Sequence, residues 1–284
     1  MTKALRMFLL QYGAERVSKS LSLEGGSQHL YWEPLLGIAV ETTDGWVLID
    51  TGMSRAAHLS PENQKAYIAG GVEAPNIDAE WRLSPVPPQP DEWNWILAGD
   101  PLCSALEAIG LAPKDISLAA ISHAHVDHSG GIPTLSRAGV PIAIQKAELD
   151  FIRSGKVGIA EGFHKPDWTS PETKWVELDG DTQIAPGVKA IFTPGHTPGH
   201  MSFLIELEQS GSWLFCTDAV DLAQNLLDNT PCGSFAGGTQ QDRANAHASL
   251  ERLLEIASEC NARIIPGHDQ IIANAIKHPI GGHR

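Results

Sequence analysis

Apolar residues occur along this chain in short runs, and each run ends at a polar or glycine-containing turn. In the first half, runs at residues 35–40 and 46–49 flank a Thr-Thr-Asp-Gly turn, a pattern that predicts a β-hairpin. A helical pattern over residues 102–109 is stopped by a glycine and a proline, and an apolar run at residues 116–121 follows it. The predicted order is hairpin, helix and strand, with the strand ending just before His123.

The second half repeats this order. A hairpin is predicted from residues 202–207 and 213–216 around a Gln-Ser-Gly turn, then a helix over residues 244–258 and a strand that ends before His268. Two sheets that face each other, with helices on the outside, bury the apolar faces of both halves. We therefore predict an α+β fold of four layers, αββα, formed as one domain over residues 1–284 because no stretch separates halves of different composition.

The segment at residues 55–100 departs from this pattern. It contains six prolines and three tryptophans, Trp81, Trp93 and Trp95, without sustained helical or strand periodicity. A plain connection of this length is uncommon in a compact domain. We predict a loop insertion that either covers a cleft or packs on the outside as part of an oligomer interface.

Candidate chemistry is concentrated where His123, His125, Asp127 and His128 occupy four of six consecutive positions. Imidazole and carboxylate groups this close together cost desolvation and repel one another on protonation, unless a divalent ion offsets both effects. In extended backbone, His123 and His125 face the same way, whereas Asp127 and His128 lie beyond the bend. The spacing predicts a metal site with room for two ions.

Further metal-competent side chains follow other apolar runs of the chain. They are Asp50 after residues 46–49, His196 and His200 in a Pro-Gly-His-Thr-Pro-Gly-His loop, Asp218 after residues 213–217, and His268 after residues 263–265. Rigid strands hold such loops at one edge of a sheet, where α/β proteins build functional sites. We expect these side chains to meet the histidine cluster there.

Charge and cysteine content narrow the class of protein. The chain has 34 acidic and 20 basic residues, a formal charge of −14, which argues against nucleic acid as a partner because phosphates are bound by clustered Lys and Arg. No apolar stretch of 18 residues occurs, which argues against a membrane span. The four cysteines form no C-x-x-C pair, so we expect a soluble protein of the reducing cytoplasm. The sequence is compatible with a homodimer.

The motifs that carry these side chains form a recognisable set. They are His-Ala-His-Val-Asp-His-Ser-Gly-Gly from His123, Thr-Pro-Gly-His-Thr-Pro-Gly-His up to His200, the strand-ending Asp218, Pro-Gly-His up to His268, and Leu-Ile-Asp-Thr-Gly around Asp50. In order and spacing they resemble the motifs of the metallo-β-lactamase superfamily, across essentially the whole chain. Within that superfamily, residues 192–219 most resemble the N-acyl-homoserine lactone lactonases.

The resemblance implies an αββα sandwich with two divalent metal ions, usually zinc, with manganese, iron or cobalt as other ions. The implied ligands are His123, His125 and His200 for one ion, Asp127, His128 and His268 for the other, and Asp218 as a bridge together with a hydroxide. By the same resemblance, Asp50 orients ligands without binding metal. His196 matches a loop position that stabilises the turn rather than binding metal.

The implied reaction is metal-dependent hydrolysis of a small-molecule lactone. Two cations lower the pKa of a shared water, and the resulting bridging hydroxide attacks the ring carbonyl. Asp127 is the implied general acid and base, which takes the proton and passes it to the leaving alkoxide. An enzyme of this kind that opens acyl-homoserine lactones would act in quorum quenching.

One position departs from the lactonase pattern. Acyl-homoserine lactonases carry a tyrosine three positions after the bridging aspartate, where it can hydrogen-bond the substrate carbonyl, but this chain has Asp221 there and no tyrosine after Tyr67. A carboxylate repels a developing oxyanion. The sequence therefore leaves open a lactone on an aromatic or heteroaromatic ring, such as 4-pyridoxolactone, as the substrate.

Other classes share parts of this motif set. Another ester or thioester hydrolase of the superfamily would use the same ligands. A phosphodiesterase or nuclease would add basic residues near the cleft, which the acidic balance disfavours. An iron dioxygenase would use fewer ligands around one ion. A purely structural zinc site is closed by four ligands, whereas seven candidates around two ions leave room for water and substrate.

Overall fold

The structure, a computed structural model, describes residues 2–28, 30–70, 94–274 and 278–284. Part of the predicted loop insertion, including Trp81 and Trp93, lies outside the described residues. In the described part of the chain, no helix is long and apolar enough to span a membrane.

Two β-sheets form the centre of the molecule. The first contains β1 (Arg6–Ser18), β2 (Leu30–Thr42), β3 (Gly45–Ile49), β4 (Asn94–Ile96), β5 (Ile116–Ala120), β6 (Pro141–Gln145) and β7 (Lys174–Leu178) in the order β4-β1-β2-β3-β5-β6-β7. The second contains β8 (Thr182–Ala185), β9 (Val188–Phe192), β10 (Met201–Leu207), β11 (Gly211–Thr217) and β12 (Arg263–Pro266) in the order β12-β11-β10-β9-β8. Both predicted hairpins are present, as the antiparallel pairs β2–β3 and β10–β11.

Helices surround the two sheets. They are α1 (Lys19–Ser22), α2 (Arg55–His58), α3 (Pro61–Gly70), α4 (Pro101–Ala108), α5 (Val126–Ser129), α6 (Ile132–Arg137), α7 (Lys146–Arg153), α8 (Ala223–Asp228), α9 (Gln240–Glu259) and α10 (Gln270–Asn274). Local sequence sets where the longest begins, because Thr239 and Asp242 form a reciprocal capping box at the start of α9. The two predicted helices correspond to α4 and α9.

The packing of these elements gives the predicted four-layer αββα sandwich. Side chains of the two sheets interlock in one buried cluster that includes Ile38 and Ile49 from the first sheet and Phe203 and Phe215 from the second. Leucines of α4 and α6 pack on the outer face of the first sheet, and leucines of α9 pack on the outer face of the second. Each sheet therefore has one face against its partner and one against helices.

The insertion at residues 55–100 differs from the predicted loop at both of its described ends. Its first part forms α2 and α3, and its last part forms β4, which pairs with β1 through Trp95 and Ala14. Ser54 caps α2 by accepting a hydrogen bond from the Ala57 backbone N–H. The sequence pattern does not reveal these elements, because a three-residue edge strand and a four-residue helix are too short to produce a readable period and the ten residues of α3 have no regular apolar spacing.

Candidate metal centre

The cluster of four metal-competent residues lies where the first sheet meets the second. β5 ends at Ala120, and His123 and His125 follow it in extended backbone before the short helix α5, which carries Asp127 and His128. The backbone bend at the start of α5 therefore separates the two pairs, as their spacing predicted.

One group of donor atoms comprises His123, His125, His196 and Asp218, whose ligand atoms all lie within 4.8 Å of one another. His125 Nδ1 lies 2.9 Å from His123 Nε2 and 2.9 Å from His196 Nε2. Asp218 Oδ2 lies 3.6 Å from His123 Nε2 and 3.3 Å from His196 Nε2. Three imidazoles thus converge on one carboxylate oxygen.

The second group comprises Asp127, His128, Asp218 and His268, with ligand atoms again within 4.8 Å of one another. His128 Nε2 lies 2.9 Å from Asp127 Oδ2 and 3.1 Å from Asp218 Oδ1. His268 Nε2 lies 3.3 Å from the same Asp218 oxygen. Asp218 therefore presents one oxygen to each group, which is the arrangement predicted for a bridging carboxylate.

His200, predicted as a ligand, takes no part in either group, and His196, predicted to stabilise a turn, occupies that position instead. The His200 ring is buried, with Nδ1 2.9 Å from Thr193 Oγ1 and Nε2 2.7 Å from Thr217 Oγ1. The backbone explains the difference. His200 directly precedes β10, and its ring lies between Thr193, just after β9, and Thr217, at the end of β11, whereas His196 lies in the middle of the loop between β9 and β10. That loop carries His196 into the cleft, where its Nδ1 lies 3.1 Å from the Ser234 carbonyl oxygen.

Asp50 lies behind the second group, in the orienting position that the resemblance implied. Its Oδ2 lies 2.9 Å from His128 Nδ1 and accepts a hydrogen bond from Ser122 Oγ at 2.8 Å, while Oδ1 accepts one from the Ser122 backbone N–H at 2.7 Å. A carboxylate beside Nδ1 favours the tautomer that carries its proton on Nδ1. The lone pair of Nε2 then faces the cleft.

Glu148, at the start of α7, is a buried site residue that the sequence analysis did not identify. Its Oε1 accepts a hydrogen bond from the Ala124 backbone N–H at 3.0 Å. Its Oε2 accepts from Thr197 Oγ1 at 2.7 Å and from the Gly199 N–H at 3.0 Å. One carboxylate therefore connects the loop that carries His123 and His125 with the loop that carries His196. The available signal was an acidic residue on the buried face of α7, one turn before Ile152.

The imidazoles of the first group are held in the neutral form. Burial, with the neighbouring His128, lowers the pKa of His123 well below its usual range. Burial and the neighbouring His196 lower the pKa of His125 to about 3. Burial also lowers the pKa of His196. Neutral imidazole is the form that binds a metal ion, so these side chains are ready to coordinate at neutral pH.

In the second group, opposite charges dominate. Burial acts to lower the pKa of His128, but Asp127, Asp218 and Asp50 outweigh burial and raise that pKa well above its usual range. Burial acts to raise the pKa of Asp218, but His128 and His268 hold it well below its usual range. The carboxylates of this group are therefore charged and attract a cation.

Two buried atoms test whether the site fits metal ions. His128 Nε2 and Asp218 Oδ1 lie 3.1 Å apart, and neither makes a hydrogen bond. Buried polar atoms without a partner are uncommon because they lose their hydration without compensation. A divalent cation bound by both atoms supplies that compensation, so the residues fit a dinuclear centre.

A cavity of about 380 Å³ opens onto the two groups. Asp127, His125, His196, Asp218 and His268 line its floor. The lining also includes the apolar side chains of Val126, Ile159 and Phe235 and the polar side chains of Glu15, Arg16, Glu33 and Asp221. Asp221, the position that departs from the lactonase pattern, is thus part of this cavity, and its side chain is buried.

Comparisons with known proteins agree with this architecture. The family model described as the metallo-β-lactamase superfamily matches residues 36–268. An N-acyl homoserine lactonase of Bacillus cereus is 30% identical over 83% of this chain and 81% of its own length. The N-acyl homoserine lactonase AttM of Agrobacterium fabrum is 25% identical over 93% of both chains.

A solved structure shows the same similarity in three dimensions. It is an N-acyl homoserine lactone hydrolase with the product N-hexanoyl-L-homoserine bound at its catalytic metal centre, 26% identical, with 97% of each chain covered and a TM-score of 0.77. The fold, the converging His and Asp side chains and these relatives all agree. The chain belongs to the metallo-β-lactamase superfamily of metal-dependent hydrolases, on the branch that contains the N-acyl homoserine lactonases.

Proposed function

We propose that this protein hydrolyses the ester bond of a lactone ring, with N-acyl homoserine lactones as its first candidate substrates. The observation that carries the proposal is Asp218, which directs one oxygen towards each of two groups of donor atoms at the floor of a cavity. The relatives named N-acyl homoserine lactonase support the choice of substrate class.

The ligands we propose are the two groups of donors. His123, His125 and His196 would hold one ion, Asp127, His128 and His268 would hold the other, and Asp218 would contribute to both. Zinc is the ion we propose first, and manganese, iron and cobalt suit the same imidazole and carboxylate donors. Bound there, two divalent ions supply an activated water and polarise the carbonyl that it attacks.

Asp127 is the side chain that we propose for proton transfer. It lines the cavity, and its Oδ2 is 2.9 Å from His128 Nε2 and 3.6 Å from His268 Nε2. Burial acts to raise the pKa of Asp127, but His128 outweighs burial and lowers it, so the group is a carboxylate that can accept a proton. We assign Asp127 the transfer of that proton from the attacking water to the oxygen that leaves the opened ring.

The walls of the cavity distinguish this reaction from phosphate ester hydrolysis. Besides the proposed ligands, the lining includes the carboxyl groups of Glu15, Glu33, Glu161 and Asp221 and the guanidinium of Arg16. Proteins bind phosphodiesters with clustered Arg and Lys, and the described lining of this cavity offers Arg16 among several carboxyl groups instead of such a cluster. Two groups of donors around a shared carboxylate also favour a dinuclear hydrolase over a dioxygenase with one iron.

The biological setting follows from the proposed chemistry. Opening an acyl homoserine lactone removes a signalling molecule, so we assign the protein to quorum quenching. We place it in the cytoplasm because Cys103, Cys216, Cys232 and Cys260 are all free thiols in the structure, as in proteins of reducing compartments.

The deciding experiment is a hydrolysis panel with the purified protein loaded with zinc, followed by proton release. The panel contains N-hexanoyl and N-decanoyl homoserine lactone, unacylated lactones, 4-pyridoxolactone, a thioester and a phosphodiester. Opening of one or more lactones, with loss of turnover in His268→Ala, supports the proposal. Turnover of the thioester or phosphodiester alone contradicts it, and 4-pyridoxolactone alone would move the assignment to heteroaromatic lactones.

A further inference from the structure

The side chain of Asp221 carries a buried oxygen atom without a partner. Asp221 is 3% exposed and lines the cavity that opens onto the two groups of donor atoms. Its Oδ1 makes no hydrogen bond with the residues that the structure describes, and Asp221 belongs to neither donor group. A buried oxygen in this state has lost its hydration without compensation. We therefore expect the molecule that occupies the cavity to supply a hydrogen-bond donor.

The backbone holds Asp221 beside the proposed metal centre. A turn after β11, closed by a hydrogen bond of 3.2 Å from the Val220 N–H to the Thr217 carbonyl oxygen, separates Asp221 from the ligand Asp218. The Asp221 carbonyl oxygen then accepts a hydrogen bond of 2.8 Å from the His268 N–H. Asp221 is thus tied to the segments that carry two proposed ligands. A substrate that reacts at the metal centre comes within reach of its side chain.

The chemistry of the proposed substrates identifies the missing donor. A carboxyl group accepts hydrogen bonds in either protonation state, because both forms keep lone pairs. The ring and the acyl carbonyl of an N-acyl homoserine lactone offer only acceptor oxygens. The amide N–H is the one donor of a straight-chain member of this class, and its nitrogen is bonded to the ring carbon next to the ester carbonyl.

We propose that Asp221 Oδ1 accepts a hydrogen bond from the amide N–H of the substrate, and that Asp221 thereby selects N-acylated lactones. The amide nitrogen lies two bonds from the carbonyl carbon that is attacked. This separation suits a side chain held next to His268 and Asp218. The inference rests on the proposed lactonase function and deepens it by assigning a specificity residue.

Two other roles of Asp221 lead to different results. If a water molecule fills the place of the donor, the side chain does not distinguish lactones with and without an N–H group. If the side chain contacts the ring carbonyl, its removal lowers turnover of both kinds of lactone by the same factor. The ratio of kcat/KM for two such lactones therefore separates the three roles.

The test uses two lactones of the same shape. N-Hexanoyl-L-homoserine lactone carries the amide N–H, and α-(2-oxoheptyl)-γ-butyrolactone has a methylene group in its place. We expect kcat/KM of the zinc-loaded protein to favour the N-acyl lactone by about tenfold or more, because the methylene leaves a buried oxygen unpaired. Ring opening is followed by chromatography of the hydroxy acid products.

Variants of Asp221 connect this preference to one side chain. Asp221→Ala and Asp221→Leu both lack the acceptor oxygen and should bring the ratio of the two kcat/KM values close to one. Asp221→Asn keeps an acceptor oxygen and should retain most of the preference. Asp228→Ala, at an exposed position of α8, is the matched control and should leave the ratio unchanged. An unchanged ratio in Asp221→Ala or Asp221→Leu would overturn the inference.

A binding measurement separates recognition from turnover. N-(2-Oxocyclopentyl)hexanamide carries the amide N–H on a ring without an ester bond, so it is not hydrolysed. Its counterpart 2-(2-oxoheptyl)cyclopentan-1-one has a methylene group instead. Calorimetric titration of the zinc-loaded protein should show tighter binding of the amide, and Asp221→Ala should abolish the difference. Equal binding of both ketones to the parent protein would overturn the inference.

The remaining outcomes distinguish the inference from the function on which it rests. If both lactones are opened with equal efficiency, the lactonase function stands and the inference about Asp221 fails. The same holds if Asp221→Ala lowers turnover of both lactones by one factor. If no lactone is opened by protein that retains two zinc ions, the proposed function itself fails.

Discussion

The carboxylate of Asp50 lies 2.9 Å from Nδ1 of His128, on the side of the ring opposite the cleft. Both side chains are buried, and Asp50 is also held by two hydrogen bonds from Ser122. The aspartate therefore holds the His128 ring with Nδ1 towards Asp50 and Nε2 towards Asp127 and Asp218. Asp50 itself adopts a left-handed backbone conformation with φ of 57°, so the chain accepts local strain at the residue that orients a ligand.

Asp50→Asn should weaken metal binding while leaving the seven proposed ligands in place. The amide retains the size of the carboxylate but loses the charge that favours the required His128 tautomer. We expect metal affinity to fall by roughly 10–100-fold, the usual cost of losing such a support. Competition with a chelating dye measures this change. Unaltered affinity would show that Asp50 does not orient His128.

His196→Ala and His200→Ala provide a direct comparison of the two histidines in one loop. His196→Ala should lose about one metal ion per chain and most activity, because the first group falls to two imidazoles and Asp218. His200→Ala should retain two ions and instead lower thermal stability, because Thr193 and Thr217 lose a buried partner. Metal analysis after dialysis measures the first effect, and thermal unfolding measures the second. The reverse pattern would restore His200 as a ligand.

Asp127→Asn should reduce kcat far more than it changes KM, because an amide cannot carry the proton. Loss of general acid and base catalysis costs about 10²–10⁴-fold in rate. Asp127 is also a proposed ligand, so the comparison requires variant protein shown to contain two ions. A loss of activity that disappears once the metal content is restored would reduce Asp127 to a ligand alone.

Glu148→Gln should destabilise the folded protein by about 3 kcal/mol. The new amide N–H₂ group cannot accept the hydrogen bonds that the carboxylate oxygen accepted, so buried donors lose their partner. The affected donors are the backbone N–H groups of Ala124 and Gly199 and the hydroxyl of Thr197. Urea unfolding of metal-free protein gives the free energy of unfolding. Glu255→Gln, at an exposed position of α9, is the control and should change that energy little.

The metal-free protein should lose stability between about pH 4.5 and pH 7 through Glu33. Burial raises the pKa of Glu33 from its ordinary value of 4.5 to about 7, so the folded state holds this proton more tightly than the unfolded state. The stabilising effect of the proton is complete below the unfolded pKa and is lost as the pH rises through the folded one. The shift corresponds to about 3 kcal/mol at most. Urea unfolding across this range should show a shallower pH dependence for Glu33→Gln than for the parent protein, and parallel curves would contradict the prediction.

The sequence by itself determined the features that depend on local spacing. The alternation of apolar and polar positions predicted the hairpins β2–β3 and β10–β11 and the helix α9, because these elements follow from periods of two and 3.6 residues. The division of His123 and His125 from Asp127 and His128 also followed from local backbone geometry. Asp218 and His268 could be identified because each follows an apolar run directly.

Only the tertiary structure decided which of two histidines in one loop faces the cleft. His196 and His200 share the same local motif, and their roles depend on how β9 and β10 pair and where the loop between them packs. The same is true of Glu148, Glu33 and Asp221, whose carboxyl groups reach the site from three separate elements. Their partners are far apart in the sequence, so the contacts that define their roles exist only once the two sheets have packed together.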